Sequence, residues 1–401
     1  MYALLLGFPL SAPMAAYGKM SAGAKLAYGE TYPIPTPGNM HAWFSNLPSN
    51  ATCEVLIQVA YSSVNPSDRS PTMAINDHYP KPAGSDVSGI IVGTTAGGCK
   101  KLKVGDAVWG DIGPNTMTVS GSKTKQLGGY AQFAVALDSQ LSKVPEGMGL
   151  AEAGSLPKVA LTSYKALVWY ANLDTRPMDE RTILVLGGSG GTGTVGLQLA
   201  KKVFNATKVT TTTSADNFDY CRSNGADELI DYKTTNWWEV VPDGSQDIVY
   251  DCVGQSGTGD YAVKKLKPGG SYVTITGNLA IRVPPGVSQH SFINSDTNLG
   301  SANLLEALAS FKDVRMTSLK TYNLSDVDAA FAESATGQVK GKLVIKPPPL
   351  SEEGRRAAID LWGAEQPVEA RERGLLRGTD RMPAGFPDVT RAGARLTRPE
   401  S

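Results

Sequence analysis

The stretch Thr182-Ile183-Leu184-Val185-Leu186-Gly187-Gly188-Ser189-Gly190-Gly191-Thr192-Gly193-Thr194-Val195-Gly196 decides the fold. Thr182 to Leu186 is a short apolar β-type run, as in a strand buried on both faces. It passes directly into glycines spaced Gly188-x-Gly190-x-x-Gly193, and equally Gly187-x-x-Gly190-x-x-Gly193. Gly191 to Val203 then reads as a helix. A Cβ in such a turn would block both the tight strand-to-helix reversal and an approaching pyrophosphate. The helix N-terminus offers unpaired N–H groups and a positive dipole to the phosphates. A glycine run alone is weak evidence, but strand before and helix after supply the confirming context. The stretch therefore predicts a dinucleotide site, with Gly187, Gly188, Gly190, Gly191, Thr192 and Gly193 around the phosphates.

Downstream, strand and helix keep alternating. Lys208 to Thr213 is strand-like, Asn217 to Asn224 helical and Glu228 to Asp231 a short strand, and Asp247 to Tyr250 and Ser271 to Ile275 complete the set. Parallel strands joined by helices make a doubly wound α/β sheet, here placed over residues 153–289. The end of its second strand selects the nucleotide. An acid there would bind the ribose hydroxyls and repel a 2′-phosphate. Here the strand ends in Thr210 to Thr213 and Ser214, with no Asp or Glu between Gly187 and Ala215. The missing acid, with Thr213 and Ser214 as hydroxyl donors, predicts NADPH, although threonines are also simply good strand formers.

Upstream, residues 20–152 are rich in glycine, proline and short β-type runs: Val55 to Tyr61, Val87 to Val92 and Tyr130 to Val135. Turn signals between them predict a partly barrel-like β domain. Residues 290–346 bring an amphipathic helix, Leu299 to Phe311, and a strand, Lys342 to Lys346, and are expected to return to that domain. Residues 1–19 read as an N-terminal extension. Their run Leu4 to Phe8 is too short to span a bilayer and lacks a basic start, although Ala15-Ala16 could mimic a cleavage site. Beyond Pro347-Pro348-Pro349 the chain uses nine arginines and no lysine. This shift predicts a disordered tail over 347–401.

Composition excludes several classes. The 401 residues are 41% apolar and 19% charged, with zero formal net charge. No basic run interleaved with aromatics precedes residue 350, which argues against nucleic-acid binding. Cys53, Cys99, Cys221 and Cys252 form no CxxC pair and read as unpaired apolar side chains. His41, His78 and His290 lack ligand spacing, so no metal site is expected.

A set of motifs then appears in order: Ser63-Val64-Asn65-Pro66-Ser67-Asp68, Gly84-Ser85-Asp86-Val87-Ser88-Gly89, Val104-Gly105-Asp106-Ala107-Val108 and Gly129-Tyr130-Ala131. Ala153-Gly154-Ser155-Leu156-Pro157 runs into Ala160-Leu161-Thr162. The glycine turn, Gly225-Ala226-Asp227 with Ile230-Asp231-Tyr232, Asp251-Cys252-Val253-Gly254 and Gly341-Lys342-Leu343-Val344 follow. Over residues 20–346 the chain thus resembles the zinc-independent quinone oxidoreductases of the medium-chain dehydrogenase/reductase family, near the reticulon-interacting-protein-like and enone- or enoyl-reducing members. The resemblance implies a GroES-like β-rich catalytic domain beside a Rossmann nucleotide-binding domain. It places Asn65 and Thr162 beside the nicotinamide, with Val253, Gly254, Gly277 and Asn278 covering it, and Tyr232 at the 2′-phosphate. Asn217 stands where some relatives carry lysine, which implies a modest NADPH preference. Zinc-dependent members place cysteine where Asn65 stands and histidine where Ser85 stands. In related enoyl-thioester reductases a tyrosine in the loop of Tyr79-Pro80 donates the proton. The gap from Asn65 to Tyr79 is longer here, and a plain surface tyrosine is the alternative. For Asn65 the alternative is a turn former before Pro66.

Without a Lewis acid, the accessible chemistry is hydride transfer to an already activated acceptor. A quinone or an α,β-unsaturated carbonyl spreads the developing charge onto its own oxygen, so positioning and a hydrogen-bond donor suffice. The leading expectation is NADPH-dependent reduction of a small quinone or enone, with Tyr79 and Asn65 as catalytic residues. An enoyl-thioester reductase is the second reading, and a non-catalytic member of the fold the third. A cytoplasmic location is expected, with mitochondrion or plastid as alternatives. A homodimer is compatible with the sequence.

Overall fold

The computed structural model describes residues 13–21, 24–35, 53–69, 81–95, 98–112, 128–294 and 301–362. In chain order the strands are β1 (Pro13–Lys19), β2 (Ala27–Pro33), β3 (Glu54–Ser63), β4 (Lys81–Pro82), β5 (Asp86–Thr94), β6 (Ala107–Asp111), β7 (Phe133–Leu137) and β8 (Leu141–Lys143). Next come β9 (Thr182–Leu186), β10 (Lys208–Thr213), β11 (Glu228–Asp231), β12 (Gln246–Asp251), β13 (Leu266–Thr274) and β14 (Ser288–Ser291), then β15 (Leu319–Asn323) and β16 (Lys342–Lys346). The helices are α1 (Leu150–Ser155), α2 (Pro157–Tyr164), α3 (Gly191–Gln198), α4 (Phe218–Ser223), α5 (Trp237–Val240), α6 (Thr258–Lys265), α7 (Ser301–Ser310), α8 (Val327–Ala335) and α9 (Glu352–Trp362).

The six strands from β9 to β14 form a parallel sheet in the order β11-β10-β9-β12-β13-β14. β9, β12 and β13 bury apolar residues on both faces because helices cover both. Ile183 and Val185 of β9 pack into one core with Ile248, Tyr250 and Val273, while Leu184 and Leu186 enter a second core with Val249, Tyr272 and Ala262. The register aligns Ile183 with Ile248 and Leu184 with Val249, so the alternation stays in phase across the sheet. This is the doubly wound sheet expected from the glycine stretch. The expected boundary at 289/290 cuts through β14, which pairs in parallel with β13 and so belongs to this sheet.

The β domain holds a seven-stranded sheet ordered β15-β16-β3-β5-β6-β8, with β7 paired to β3. Residues after 300 do return to it: β16 runs antiparallel to β3, and β15 parallel to β16. One face of β3, β5 and β7 points into a closed core of Val55, Ile57, Val87, Ile91, Ala134 and Ala136. The opposite face carries Leu56, Val92, Phe133, Val135 and Leu137, which also need cover.

That second face explains two corrections. The N-terminal extension was expected to end at residue 19, but β1 begins at Pro13, pairs with β2, and buries Met14, Ala15, Ala16 and Tyr17. The would-be cleavage pair Ala15-Ala16 is therefore core. The tail was expected to be disordered from 347, but α9 spans Glu352–Trp362. Ala358 and Trp362, one turn apart, close the second face, and Trp362 Nε1 donates to Pro35 O at 2.8 Å. A short helix with one apolar stripe is hard to see beneath arginine-rich composition.

A third correction concerns the cysteines. Cys53 and Cys99 form a disulfide, with Cα atoms 5.3 Å apart. Antiparallel pairing of β3 with β5 sets Val55 opposite Thr94 and brings the start of β3 beside the end of β5. No sequence spacing announces such a pair. Cys221 and Cys252 are free, as expected.

Candidate active site

β9 delivers the chain into the glycine turn, and each glycine there answers a different demand. Gly187 has φ +84°, in the left-handed region that favours glycine. A Cβ on Gly188 would lie 2.2 Å from Thr211 Oγ1, and one on Gly193 2.1 Å from Gly187 O, so these two permit close approach of strand and helix. Gly190 differs. A Cβ there would meet only Gly187 O at 3.6 Å, because the position faces open space. Gly190 caps α3, whose first N–H groups belong to Gly191, Thr192 and Gly193.

The open space is a cleft of about 600 Å³ between the two sheets. The glycine turn, Thr213, Ser214, Asn217 and Tyr232 line it from the nucleotide side, with Val253 farther along. Val64 and Asn65 line it from the β domain, as do Gln338, Gly341 and Lys342, and Val159 lines it from α2. Thr213 Oγ1 donates to Ser189 Oγ at 2.9 Å, and Asn217 Nδ2 to Ser214 Oγ at 3.2 Å. Tyr232 Oη donates to Gln338 Oε1 at 3.2 Å, across the domain boundary. Gly341 N–H donates to Ser189 O at 2.9 Å, which fixes the segment before β16 against the glycine turn.

Most of the expected site residues meet at this cleft. Gly187, Gly190, Gly191, Thr192, Gly193, Thr213, Ser214, Tyr232, Val253 and Asn65 all line it. Gly188 is turned into the strand packing. Gly254 follows Val253 and has φ +77°; Asn278 Nδ2 donates to its carbonyl at 2.7 Å, beside Gly277 at φ +85°. Thr162 lies on α2 with Val159 and donates its hydroxyl to Lys158 O at 2.7 Å, outside the lining. Tyr79 falls outside the described residues.

Beneath Asn65 lies a buried polar cluster that motif reading alone does not reveal. Asn65 Nδ2 donates to Asp86 Oδ2 at 2.8 Å and to Ser85 Oγ at 3.3 Å, while its Oδ1 accepts from Lys342 Nζ at 2.8 Å. Ser85 Oγ and Tyr130 Oη each donate to Asp68 at 3.0 Å. Burial pushes the Asp68 carboxyl up to about 6, against the pull of Lys158 and the Asn65 N–H. Burial raises the Asp86 carboxyl too, opposed by Lys342. It also lowers the Lys342 ammonium, opposed by Asp86 and Asp68. The members sit in the Asn65-Pro66-Ser67-Asp68, Gly84-Ser85-Asp86 and Gly341-Lys342 motifs. Their clustering was hinted at only by order along the chain.

The donor set bears on metal binding. The two positions where zinc-dependent relatives carry cysteine and histidine hold an amide and a hydroxyl, both engaged with carboxylates. Among the described residues the one group with metal-ligating spacing is Cys53, Cys99 and Asp138, whose two sulfurs form the disulfide.

A parallel nucleotide-binding sheet and a GroES-like β domain meeting at a glycine-walled cleft define a two-domain, nucleotide-dependent oxidoreductase. Comparison with known proteins agrees. Residues 51–146 match the model described as "Alcohol dehydrogenase GroES-like domain", and 224–345 the one described as "Zinc-binding dehydrogenase". The chain is 34% identical to 2-methylene-furan-3-one reductase of Solanum lycopersicum, over 82% of this chain and 85% of that protein. It is 31% identical to the chloroplastic NADPH-dependent alkenal/one oxidoreductase of Arabidopsis thaliana, over the same shares. The structure of the quinone oxidoreductase from Coxiella burnetii superposes with TM-score 0.62 at 25% identity, over 83% of this chain and 99% of that one. The chain belongs to the medium-chain dehydrogenase/reductase superfamily of NAD(P)H-dependent oxidoreductases, in its quinone-oxidoreductase-like branch.

Proposed function

We propose that this chain is an NADPH-dependent reductase that delivers hydride, without zinc, to a quinone or to an alkene conjugated with a carbonyl. The observation that carries this reading is the cleft lining, which among the described residues contains no aspartate or glutamate. A carboxylate at the adenosine end would oppose a 2′-phosphate. Thr213, Ser214, Asn217 and Tyr232 instead present hydroxyls and an amide there. Gly187, Gly190 and the N-terminus of α3 suit the pyrophosphate. A reduced nicotinamide bound beside Asn65, Thr162 and Val253, with Gly254, Gly277 and Asn278 over it, would supply the hydride.

At that end Asn65 and Ser85 leave the substrate carbonyl without a zinc ligand set, so the acceptor must carry its own activation. The names of the tomato and Arabidopsis relatives, a methylene-furanone reductase and an alkenal/one oxidoreductase, describe such acceptors. Tyr79 is the proton donor in this reading. Among the described residues no helix is long and apolar enough to cross a membrane. The reading places the enzyme in the cytoplasm, with plastid and mitochondrion as the alternatives.

Titration of the purified protein with NADPH and NADH, followed by nicotinamide fluorescence, tests the cofactor assignment. Tighter NADPH binding is expected. Equal affinity for the two would contradict the role given to the carboxylate-free lining.

A further inference from the structure

The cleft has a wall that the proposed chemistry does not use. Trp237 and Trp238, which open α5, line it together with Gln255 and Thr258 at the entry to α6. Three aromatic rings are ordered against one another here. The Trp238 indole lies flat on the ring of Tyr261 from α6, with centroids 4.5 Å apart and planes 10° apart. Trp237 meets Trp238 at 84° and Tyr261 at 83°. Stacked and edge-to-face contacts are the arrangements that ring quadrupoles favour, so the three rings fix one another's planes.

Their burial differs. Trp237 is the buried residue of α5 and packs into the core of Leu184, Leu186 and Ala262. Trp238 is partly buried at the rim of that core, and Tyr261 keeps 36% exposure. Trp237 already anchors α5, so a second large indole beside it is more apolar surface than the fold needs there. Tyr261 covers one face of that indole, and the remainder borders the cleft.

Position along the cleft decides what could cover it. In the proposed reading the pyrophosphate sits at the N-terminus of α3. Lys342 marks one direction from there. A Cβ on Gly191 would lie 2.7 Å from Lys342 Cδ, and Lys342 Nζ donates to Asn65 Oδ1 at 2.8 Å, so this side leads to the nicotinamide end. The other direction runs over the ends of β10 and β11, past Thr213, Ser214 and Tyr232. β11 is the edge strand of its sheet, and residues 232–236 carry the chain from it into α5. Thr235 and Asn236 line the cleft on the way, which puts Trp238 at the adenosine end.

We propose that the adenine of the cofactor stacks on the face of Trp238 turned away from Tyr261, so that tyrosine, indole and base form three layers. This assignment rests on the proposed NADPH reading and names the residue that holds the base. Every base has a π-face, so such a platform gives affinity without reading the 2′-phosphate. It serves NADPH and NADH alike and leaves the choice between them to Thr213, Ser214 and Tyr232. Tyr261 acts at one remove, by holding the indole plane.

Two measurements on the full chain test this. The first uses adenosine 2′,5′-bisphosphate carrying an ethenoadenine, whose fluorescence an indole quenches on stacking. Emission should fall as the probe binds the parent. Trp238→Leu should bind it more weakly and leave the bound probe bright. The second is titration with NADPH, NADH and the unmodified bisphosphate. Trp238→Ala should weaken all three by one common factor, about 5- to 150-fold. The NADPH-to-NADH ratio should stay parental, and Trp238→Phe should recover most of the affinity. Tyr261→Ala should give a smaller loss of the same kind. Trp238→Leu, which keeps an apolar side chain at the rim of the core, serves in the titration if Trp238→Ala does not fold. Undiminished emission from the probe bound to the parent, parental affinities in both Trp238→Ala and Trp238→Leu, or a loss confined to NADPH would each overturn the stack and leave the NADPH reading standing. A parent that binds no nucleotide would contradict that reading and the stack together.

Discussion

Gly190 is the residue whose role is most sharply drawn. Its φ of −75° suits any residue, and a Cβ there points into the cleft, not into protein. Gly190→Val should therefore fold with parental stability and fail to bind NADPH. Saturation of the variant at parental affinity would show the glycine turn misread. Asp68 carries a pH prediction. In the folded chain burial holds its carboxyl up to about 6, whereas the unfolded chain releases the proton near ~3.9. Between these values the unfolded state binds fewer protons, so stability falls as pH rises from about 4 to about 6. The effect is on the order of 3 kcal/mol. Urea unfolding at pH 4 and pH 7 should show a smaller loss in Asp68→Asn than in the parent. An equal loss would mean that Asp68 ionises normally. Tyr79→Phe should slow enones much more than quinones, whose reduced anions are weak bases that water protonates. Parental rates with every acceptor would make solvent the proton source.

At the scale of elements, α9 shows what the sequence conceals. A Cβ on Gly93 would lie 2.8 Å from Trp362 Cβ, so β5 and α9 are in tight contact over an apolar sheet face. Trp362→Ala should cost about 3–5 kcal/mol and lower the melting temperature, with NADPH affinity unchanged. A parental melting temperature would mean that the helix does not hold the face closed. The signals that made β9 to β13 legible were strong: an apolar strand running into a glycine turn, and regular alternation of strands with helices after it. β16 was legible as Lys342 to Lys346, the same bounds the strand has. β1 and α9 lacked such signals. Their apolar residues become meaningful only once the second face of β3 and β7 is known to need cover. The Cys53–Cys99 bond is likewise a product of strand pairing. The glycine-turn side of the cleft is built from a local motif and could be read from sequence. The Asn65–Asp86–Lys342 cluster draws on residues up to 277 positions apart, and only the tertiary fold assembles it.

For the molecule as a whole, two sheets from different folds meet along one cleft, and the segment before β16 locks them together at Ser189 and Gly341. In the proposed reading the nucleotide sheet binds the phosphates, with no carboxylate among the described residues that line the cleft. The β domain supplies a neutral Asn65–Ser85 pair backed by lysines. NADPH consumption by the purified, metal-free protein, measured side by side against a quinone, a small enone and an enoyl thioester, tests this division of roles most directly. Turnover with the quinone or the enone is predicted, faster with NADPH than with NADH and unchanged by a chelator. Oxidation of neither cofactor by any acceptor, turnover of the enoyl thioester alone, or activity lost on chelation and restored by zinc would contradict it.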